Sequence, residues 1–395
     1  MTSWPVFEQD EIDAVVDVLK SGKINYWTGT EIKKFEQEFA EYLNVPHTIA
    51  LANGTLALEL ALKVLNIGPG DEVIVPSRTF MASASCVVLQ GATPIFADVD
   101  PESGCICPDS IREKITAKTK AIITVHLGGW PCEMDKIMAL AKKYNLKVIE
   151  DCAQSHGAVY QNKKLGAWGD MAAFSFCQDK IMTTGGEGGL LVLKDENLWK
   201  QAWAFKDHGK DFDTVFNKAH PSGFRWLHES FGTNWRMTEM QAAIGRIQLR
   251  KLDNWIARRQ YFSNLLDSVF RTIPGIRVPR ISSQIHHARY KYYVYADPLI
   301  FNRDDLMAKL NQAGVLCFSG SCSEIYLEQC FIKNNLGPKT RLPIAKILGE
   351  QSLCLLVHPS QTDQEFENLI DKLMDVMGHM GMNVGTQLIA SGVNN

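Results

Sequence analysis

The first 250 residues alternate short apolar runs with stretches of helical periodicity. EVIVP (72–76), PIFADV (94–99), AIITVH (121–126), KVIEDC (147–152), AAFSF (172–176) and GLLVL (189–193) each have the length and apolar density of a buried strand. Between the earlier runs, segments such as MDKIMALAKKYN (134–145) set apolar residues at helical spacing. Strand–helix alternation of this kind predicts an α/β fold with a mostly parallel central sheet covered on both faces. In such sheets ligands sit beyond the carboxyl ends of the strands. The residues just after each run are therefore where chemistry is expected.

Around Thr238 the pattern changes. TEMQAAIGRIQLRKLDNWIARRQYFSNLLDSVF reads as one long helix, opened by Thr238 and Gln241 at capping-box spacing. Pro274, Gly275 and Pro279 then mark a linker, and KYYVYAD (291–297) followed by a helical stretch near 303–313 suggests a smaller α/β unit. The expected organisation is a large ligand-binding domain over 1–250, N-terminal arm included, and a smaller C-terminal domain over 251–395. The small, polar tail from Gly381 onward is expected to be poorly ordered.

Composition narrows the class without naming it. With 46% apolar and 22% charged residues and a formal net charge of −3, the chain lacks the basic footprint of a nucleic-acid binder. No stretch approaches the ~20 apolar residues of a membrane span. The N-terminus has acids where a signal peptide needs a basic region and an apolar run. Ten scattered cysteines without zinc-ribbon spacing fit free thiols in a reducing cytoplasm, where the protein is expected to reside. His286, His287 and His358 show no metal spacing and are expected on the surface or in loops, and no metal site is expected.

Four stretches carry candidate chemistry. Asn53-Gly54-Thr55 precedes LALELALKVL, and a glycine and a hydroxyl at a helix N-terminus suit an anion, although the same residues also make an ordinary cap. EDCAQSHGA (150–158) sets Asp151 at a strand end with Gln154 three residues on. Such an acid either caps a turn or pairs with a cationic ligand. In MAAFSFCQDKIMTTGGEGG (171–189), Ser175 ends an apolar run and Lys180 follows shortly before a glycine-rich turn. Buried lysines are rare unless paired, and desolvation favours the neutral, nucleophilic amine. GTNWRMTEMQ (232–241) places Asn234 and Arg236 just ahead of the long helix. A phosphate site, a carboxylate and a strand-end lysine together match what pyridoxal phosphate requires, and Phe80 in PSRTFMAS offers a flat face for its ring. No GxGxxG follows an early strand, and no GxxxxGK[ST] occurs, so dinucleotide and P-loop readings have no fingerprint.

NGTLAL, GDEVIVPSRTF, DVDPES, VIEDCAQSHGA, FSF with Lys180 and TTGGEGG, and NWRMTEMQAAIGRIQL together resemble the DegT/DnrJ/StrS sugar aminotransferases over about residues 25–260. The resemblance implies an aspartate-aminotransferase-like fold (PLP fold type I), pyridoxal 5'-phosphate as cofactor and L-glutamate as amino donor. It also implies a homodimer whose active sites are shared. Position by position, Lys180 matches the Schiff-base lysine and Asp151 the partner of the pyridinium nitrogen. Gln154 matches the residue near the ring oxygen, and Phe80 the stacking position. Gly54, Thr55 and Ser175 match phosphate contacts, and Asn234 matches a phosphate contact from the other subunit. Glu187 falls in the glycine turn near the ligand. Two positions depart from the pattern: Cys177 stands where many members have His, and Arg78 where a smaller or aromatic residue is common.

HPSGFRWLHESFGTNWRMTEMQ resembles more loosely a branch making 8-amino-3,8-dideoxy-manno-octulosonate, an amino sugar of lipopolysaccharide. The preferred expectation is therefore amination of 8-oxo-3-deoxy-manno-octulosonate, with His220, Arg225 and His228 facing its carboxylate. The alternative is a keto-sugar linked to dTDP, UDP or GDP, whose diphosphate would equally welcome those cations. A fold-borrowing regulator would need a DNA-binding segment, and a binding protein has no reason to keep Asp151 and Lys180 together.

Overall fold

In a computed structural model, residues 4–220, 223 and 225–380 are described; the tail expected to be poorly ordered lies outside them. Among the described residues, fourteen strands form three sheets. The main sheet has seven strands in the order β1-β9-β8-β5-β4-β2-β3. They are β1 (His47–Leu51), β2 (Glu72–Pro76), β3 (Thr93–Ala97), β4 (Thr119–Val125), β5 (Lys147–Asp151), β8 (Met171–Ser175) and β9 (Gly189–Leu193). Strand β9 runs antiparallel to both neighbours, and every other pairing outside it is parallel. The six apolar runs seen in the sequence thus all become strands, within two residues of the expected ends. Strand β1 was not among those runs, and β9 departs from the parallel rule.

The remaining strands are short. β6 (Val159–Tyr160) and β7 (Lys163–Lys164) pair with β11 (Ile285–His286). β10 (Ile276–Arg277), β12 (Tyr292–Ala296), β14 (Ser352–Leu355) and β13 (Cys317–Phe318) make an antiparallel four-stranded sheet in that order. It has its own apolar core, which includes Leu306, Val315, Leu353 and Phe366.

The long helix runs from Glu239 to Phe270, and Thr238 and Gln241 close the expected capping box. Its first half packs Leu249, Leu252 and Ile256 into the core around the main sheet. Its second half packs Phe262, Leu266 and Phe270 into the core of the smaller sheet. Residue 250, the expected boundary, therefore lies within a helix that serves both cores. All ten cysteines are free. No helix among the described residues is long and apolar enough to cross a membrane.

The start of the long helix also anchors a second helix. Helix Glu31–Leu43 begins after Thr30, whose side chain caps nothing. Its first N–H groups are met from 208 residues away by the buried Glu239 carboxylate, which accepts from the Glu31 N–H at 2.5 Å and from the Ile32 N–H at 3.4 Å. Position 29 must be glycine for this, since a Cβ there would sit 2.2 Å from Glu239 Oε2. The negative charge also lies at the favourable, N-terminal end of both helix dipoles. Glu239→Ala should cost about 2 kcal/mol, the usual penalty for stranding donors of a charged acceptor. Glu239→Gln, which keeps one acceptor oxygen, should cost less than half as much. Urea unfolding of the three proteins checks this, and an Ala variant as stable as the parent would refute the capping role.

Candidate active site

Because β1, β2, β4, β5 and β8 are mutually parallel, their carboxyl ends share one edge of the sheet, and antiparallel β9 begins there. Leu51, Gly189 and Ser175 stand side by side in register on that rim. Helix Gly54–Val64 starts directly above them, with Asn53 Oδ1 accepting from the Leu56 N–H at 2.9 Å. Its first residue lies so close that a Cβ on Gly54 would fall 2.6 Å from Ser175 Cβ. A Cβ on Gly189 would meet the Asn53 carbonyl carbon at 2.2 Å and the Gly54 nitrogen at 2.7 Å. Two glycines thus bring free N–H groups of a helix N-terminus, the half-buried Thr55 and the Ser175 hydroxyl into one small cradle. That is a donor set for an anion such as a phosphate.

Asp151 ends β5 and is 7% exposed. It accepts from Ser83 Oγ at 2.7 Å and from the Ala153 N–H at 3.1 Å, and Ser83 in turn shares a hydrogen bond with Thr79 Oγ1 at 2.8 Å. Burial pushes its carboxyl above the usual range, against those bonds and the nearby charge of Lys180. A carboxyl in that condition gains from a cationic partner. Ser83 was not singled out in the sequence, although it sits one helical turn beyond Phe80 in the same PSRTFMAS motif.

Lys180 follows β8 on a loop closed by backbone bonds from Phe176 N to Gly188 O and from Lys180 N to Cys177 O. Its carbonyl takes a hydrogen bond from Trp4 Nε1 at 2.8 Å, a contact across 176 residues that no local motif announces. Its Nζ lies 3.5 Å from the Tyr290 hydroxyl and 3.7 Å from Asp179 Oδ1, and the side chain is 17% exposed. His156, packed against Phe174 and Phe176, is driven down to about 3 by burial and then by the Lys180 charge, so it is neutral. Gln154 is buried and its Oε1 accepts from the Gly128 N–H at 2.7 Å, which turns its NH2 group into the available donor.

The other expected residues lie further out. Phe80 is 68% exposed on the loop after β2, with Arg78 and Thr79 buried beside it. The Arg78 guanidinium stacks against Tyr293 and Tyr295, 5.1 and 5.8 Å from the ring centroids, without a hydrogen-bond acceptor among the described residues. Glu187 is exposed, and its backbone carbonyl accepts from Thr184 Oγ1 and Gln241 Nε2 at 2.6 and 2.8 Å. Asn234 is exposed on a segment laid beside the end of β1, where Ala52 N bonds Trp235 O and Leu51 bridges Arg236. Arg236 and Lys210 pin that segment through the buried Asp207 carboxylate. His220, Arg225 and His228 are exposed on the stretch leading to Asn234, with His228 bridged to Lys210 through the backbone. His287, expected on the surface or in a loop, lies in a loop but is buried, its Nδ1 accepting from the Arg289 N–H.

Anion cradle, buried carboxyl, amine and amide donor suit the phosphate, ring nitrogen, aldehyde and phenolic oxygen of pyridoxal phosphate. The pattern of the DegT/DnrJ/EryC1/StrS aminotransferase family matches residues 5–374. An aminotransferase from Psychrobacter cryohalolentis, solved by X-ray crystallography, is 51% identical, with 96% of this chain and 99% of that one covered at a TM-score of 0.92. GDP-perosamine synthase from Caulobacter vibrioides is 39% identical over 94% of this chain and 97% of its own. The dTDP-3-amino-3,6-dideoxy-alpha-D-galactopyranose transaminase of Aneurinibacillus thermoaerophilus is 39% identical over 72% of this chain and 75% of its own. The chain belongs to the DegT/DnrJ/EryC1/StrS family of pyridoxal-phosphate-dependent sugar aminotransferases.

Proposed function

We propose that this protein moves the amino group of L-glutamate onto a nucleotide-linked keto-sugar. The observation that carries the chemistry is the rim itself, where the glycine-gated cradle and Asp151 sit on neighbouring strand ends and Lys180 on the loop after β8. When bound, pyridoxal phosphate supplies the aldehyde that carries the amino group and a ring that accepts electrons. Gly54, Thr55 and Ser175 hold its phosphate, and Asp151 keeps the proton on its ring nitrogen. The Gln154 NH2 group faces its phenolic oxygen, and Phe80 covers one ring face. Lys180 Nζ would be the amine that holds it, and the same amine would take the proton from the glutamate α-carbon. In the second half-reaction the same amine delivers a proton to the sugar carbon being aminated.

Relatives named for GDP- and dTDP-linked sugars support this choice of substrate class. They favour a nucleotide-linked substrate over the unlinked octulosonate expected from the sequence. His220, Arg225 and His228 then serve as cations for a diphosphate rather than for a sugar carboxylate. Asn234, exposed in the single chain, is assigned to the cofactor phosphate of a second copy, which makes the working form a homodimer.

Lys180→Ala should abolish turnover and remove covalently held cofactor. Asp151→Asn should stay folded and cofactor-bound but lose about 100-fold or more in kcat, because the charge opposite the ring nitrogen is gone. Rates, absorbance and intact mass decide both, and near-normal kinetics in either variant would remove that residue from the mechanism. On a panel of keto-sugars with glutamate, dTDP-, UDP- or GDP-linked substrates should turn over and 8-oxo-3-deoxy-manno-octulosonate should not; the reverse result restores the octulosonate reading. Mixing inactive Lys180→Ala and Asn234→Ala chains should recover part of the activity, since one site of each hybrid dimer carries both intact residues. No recovery despite demonstrated subunit exchange would place Asn234 outside the partner's site.

A further inference from the structure

Lys180 has a neighbour that neither the sequence patterns nor the proposed mechanism uses. Tyr290 lies 110 residues away, 5% exposed, with its hydroxyl 3.5 Å from Lys180 Nζ and its ring centroid 5.2 Å from the same atom. Its hydroxyl donates to Asp179 Oδ2 at 2.5 Å. That bond spends the phenol's only proton on the carboxylate and leaves a lone pair for the amine. Burial, reinforced by the Asp179 charge, holds the phenol well above its ordinary pKa. Burial alone would raise Asp179 as well, but the Lys180 charge and the Tyr290 bond bring its carboxyl below the usual range. Donor and acceptor roles are therefore fixed. The other charged or titratable groups bearing on Tyr290 are Lys291, whose Nζ lies 5.1 Å from the ring centroid, and Arg259 and Tyr293.

The backbone that delivers Tyr290 is held in a costly conformation. The preceding residue, Arg289, is a non-glycine at φ 51°. Left-handed backbone at such a residue persists only where its surroundings enforce it, and it concentrates at functional sites. Here the enforcing contacts are Ala288 N to Gly129 O at 3.0 Å, Lys291 N to Gly128 O at 3.1 Å, and Arg289 N to His287 Nδ1 at 2.8 Å. Gly129 must lack a side chain for the clamp to close, because its Cβ would lie 3.0 Å from the Arg289 nitrogen. The clamped partner is the loop whose Gly128 N–H fixes Gln154. A tyrosine needed only for packing has no use for a hydroxyl within reach of the Lys180 amine.

We propose that Tyr290 is a positioning residue for Lys180, holding the ε-amino group through a hydroxyl whose own proton is committed to Asp179. This rests on the reading of Lys180 as the cofactor-binding amine. When that amine is free, Tyr290 keeps it on the ligand side of the loop and shortens its search for the atom it next attacks or protonates. The contact is lost when the hydroxyl is removed and weakened when Asp179 no longer fixes its orientation.

The test uses the full chain as Tyr290→Phe and Asp179→Ala, stripped of cofactor and mixed with pyridoxal phosphate in a stopped-flow instrument. Tyr290→Phe should capture the cofactor covalently about 10-fold more slowly, the worth of one hydrogen bond to a charged group. It should reach full occupancy, lose a similar factor in kcat, and keep KM for glutamate within about twofold. Asp179→Ala, altered at a side chain that is 58% exposed, should slow capture about 3-fold, since the hydroxyl remains but swings freely. A merely structural tyrosine would instead lower the melting temperature and final occupancy while the folded fraction captured cofactor at the normal rate. That result, or parental capture rates in both variants, overturns the proposal. Should Tyr290→Phe not fold, parental capture by Asp179→Ala alone overturns it. Covalent cofactor persisting in Lys180→Ala would strike the reading of Lys180 instead, whatever the Tyr290 result.

Discussion

The distance between the first turn of helix Gly54–Val64 and the ends of β8 and β9 governs the rest of the rim. Side chains at positions 54 and 189 would overlap Ser175 and the Asn53 carbonyl, so both positions carry only hydrogen there. With the gap closed, the unpaired N–H groups of the helix sit against Ser175, and an anion placed among them is held by backbone rather than by a mobile cation. Everything else is measured from that anchor. Asp151 ends the next strand along, and Lys180 lies five residues beyond Ser175 on the loop that returns to Gly189. The glycines after Lys180 serve this geometry twice, by letting the loop fold back and by letting β9 begin under the helix.

Adjacent acids on β5 show how one strand divides structure from chemistry. Glu150 and Asp151 point to opposite faces, as successive strand residues must. Glu150 is consumed there by the N–H groups of Gly166, Trp168 and Gly169 and by His126 Nε2, contacts of 2.7 to 3.2 Å. Those bonds hold its carboxyl below the usual range although burial alone would raise it. Asp151 has fewer partners, and burial leaves its carboxyl raised. The satisfied acid ties the 166–169 turn to the sheet, whereas the under-satisfied one faces the ligand edge. Two carboxylates in sequence thus carry opposite electrostatic signs of their roles, and only the three-dimensional count of donors separates them.

What the sequence revealed was what period and local spacing encode. The parallel strands, the long capped helix, and the rim residues at strand ends were legible because each depends on a few neighbouring positions. Strand β1 escaped because HTIAL opens on a histidine and a threonine, and β9 looked like any apolar run because direction leaves no mark on composition. Ser83 was visible in a motif already being read, but its value depends on Asp151 sixty-eight residues later. Trp4, Glu239 and Tyr290 carried no signal at all, since each acts on a backbone or side-chain atom more than a hundred residues distant. Arg78 stood out as a departure, yet its stacking on Tyr293 and Tyr295 is a matter of tertiary packing.

The tyrosine contacts among them share a direction. Tyr290, Tyr293 and Tyr295 all come from β12 or the turn before it, in the smaller sheet, and they reach Lys180 or the loop after β2 on the large one. The 287–291 turn is at the same time bonded to Gly128 and Gly129, and through Gly128 to Gln154. The anion cradle, by contrast, is built wholly from β1, β8, β9 and the helix above them. The cradle therefore needs the large core alone, whereas the orientation of the Lys180 amine and of the Gln154 amide needs both cores joined. The long helix Glu239–Phe270, buried in each, is the element that makes the two inseparable. A loosening between the cores would leave the cradle intact while Lys180 and Gln154 lost their alignment.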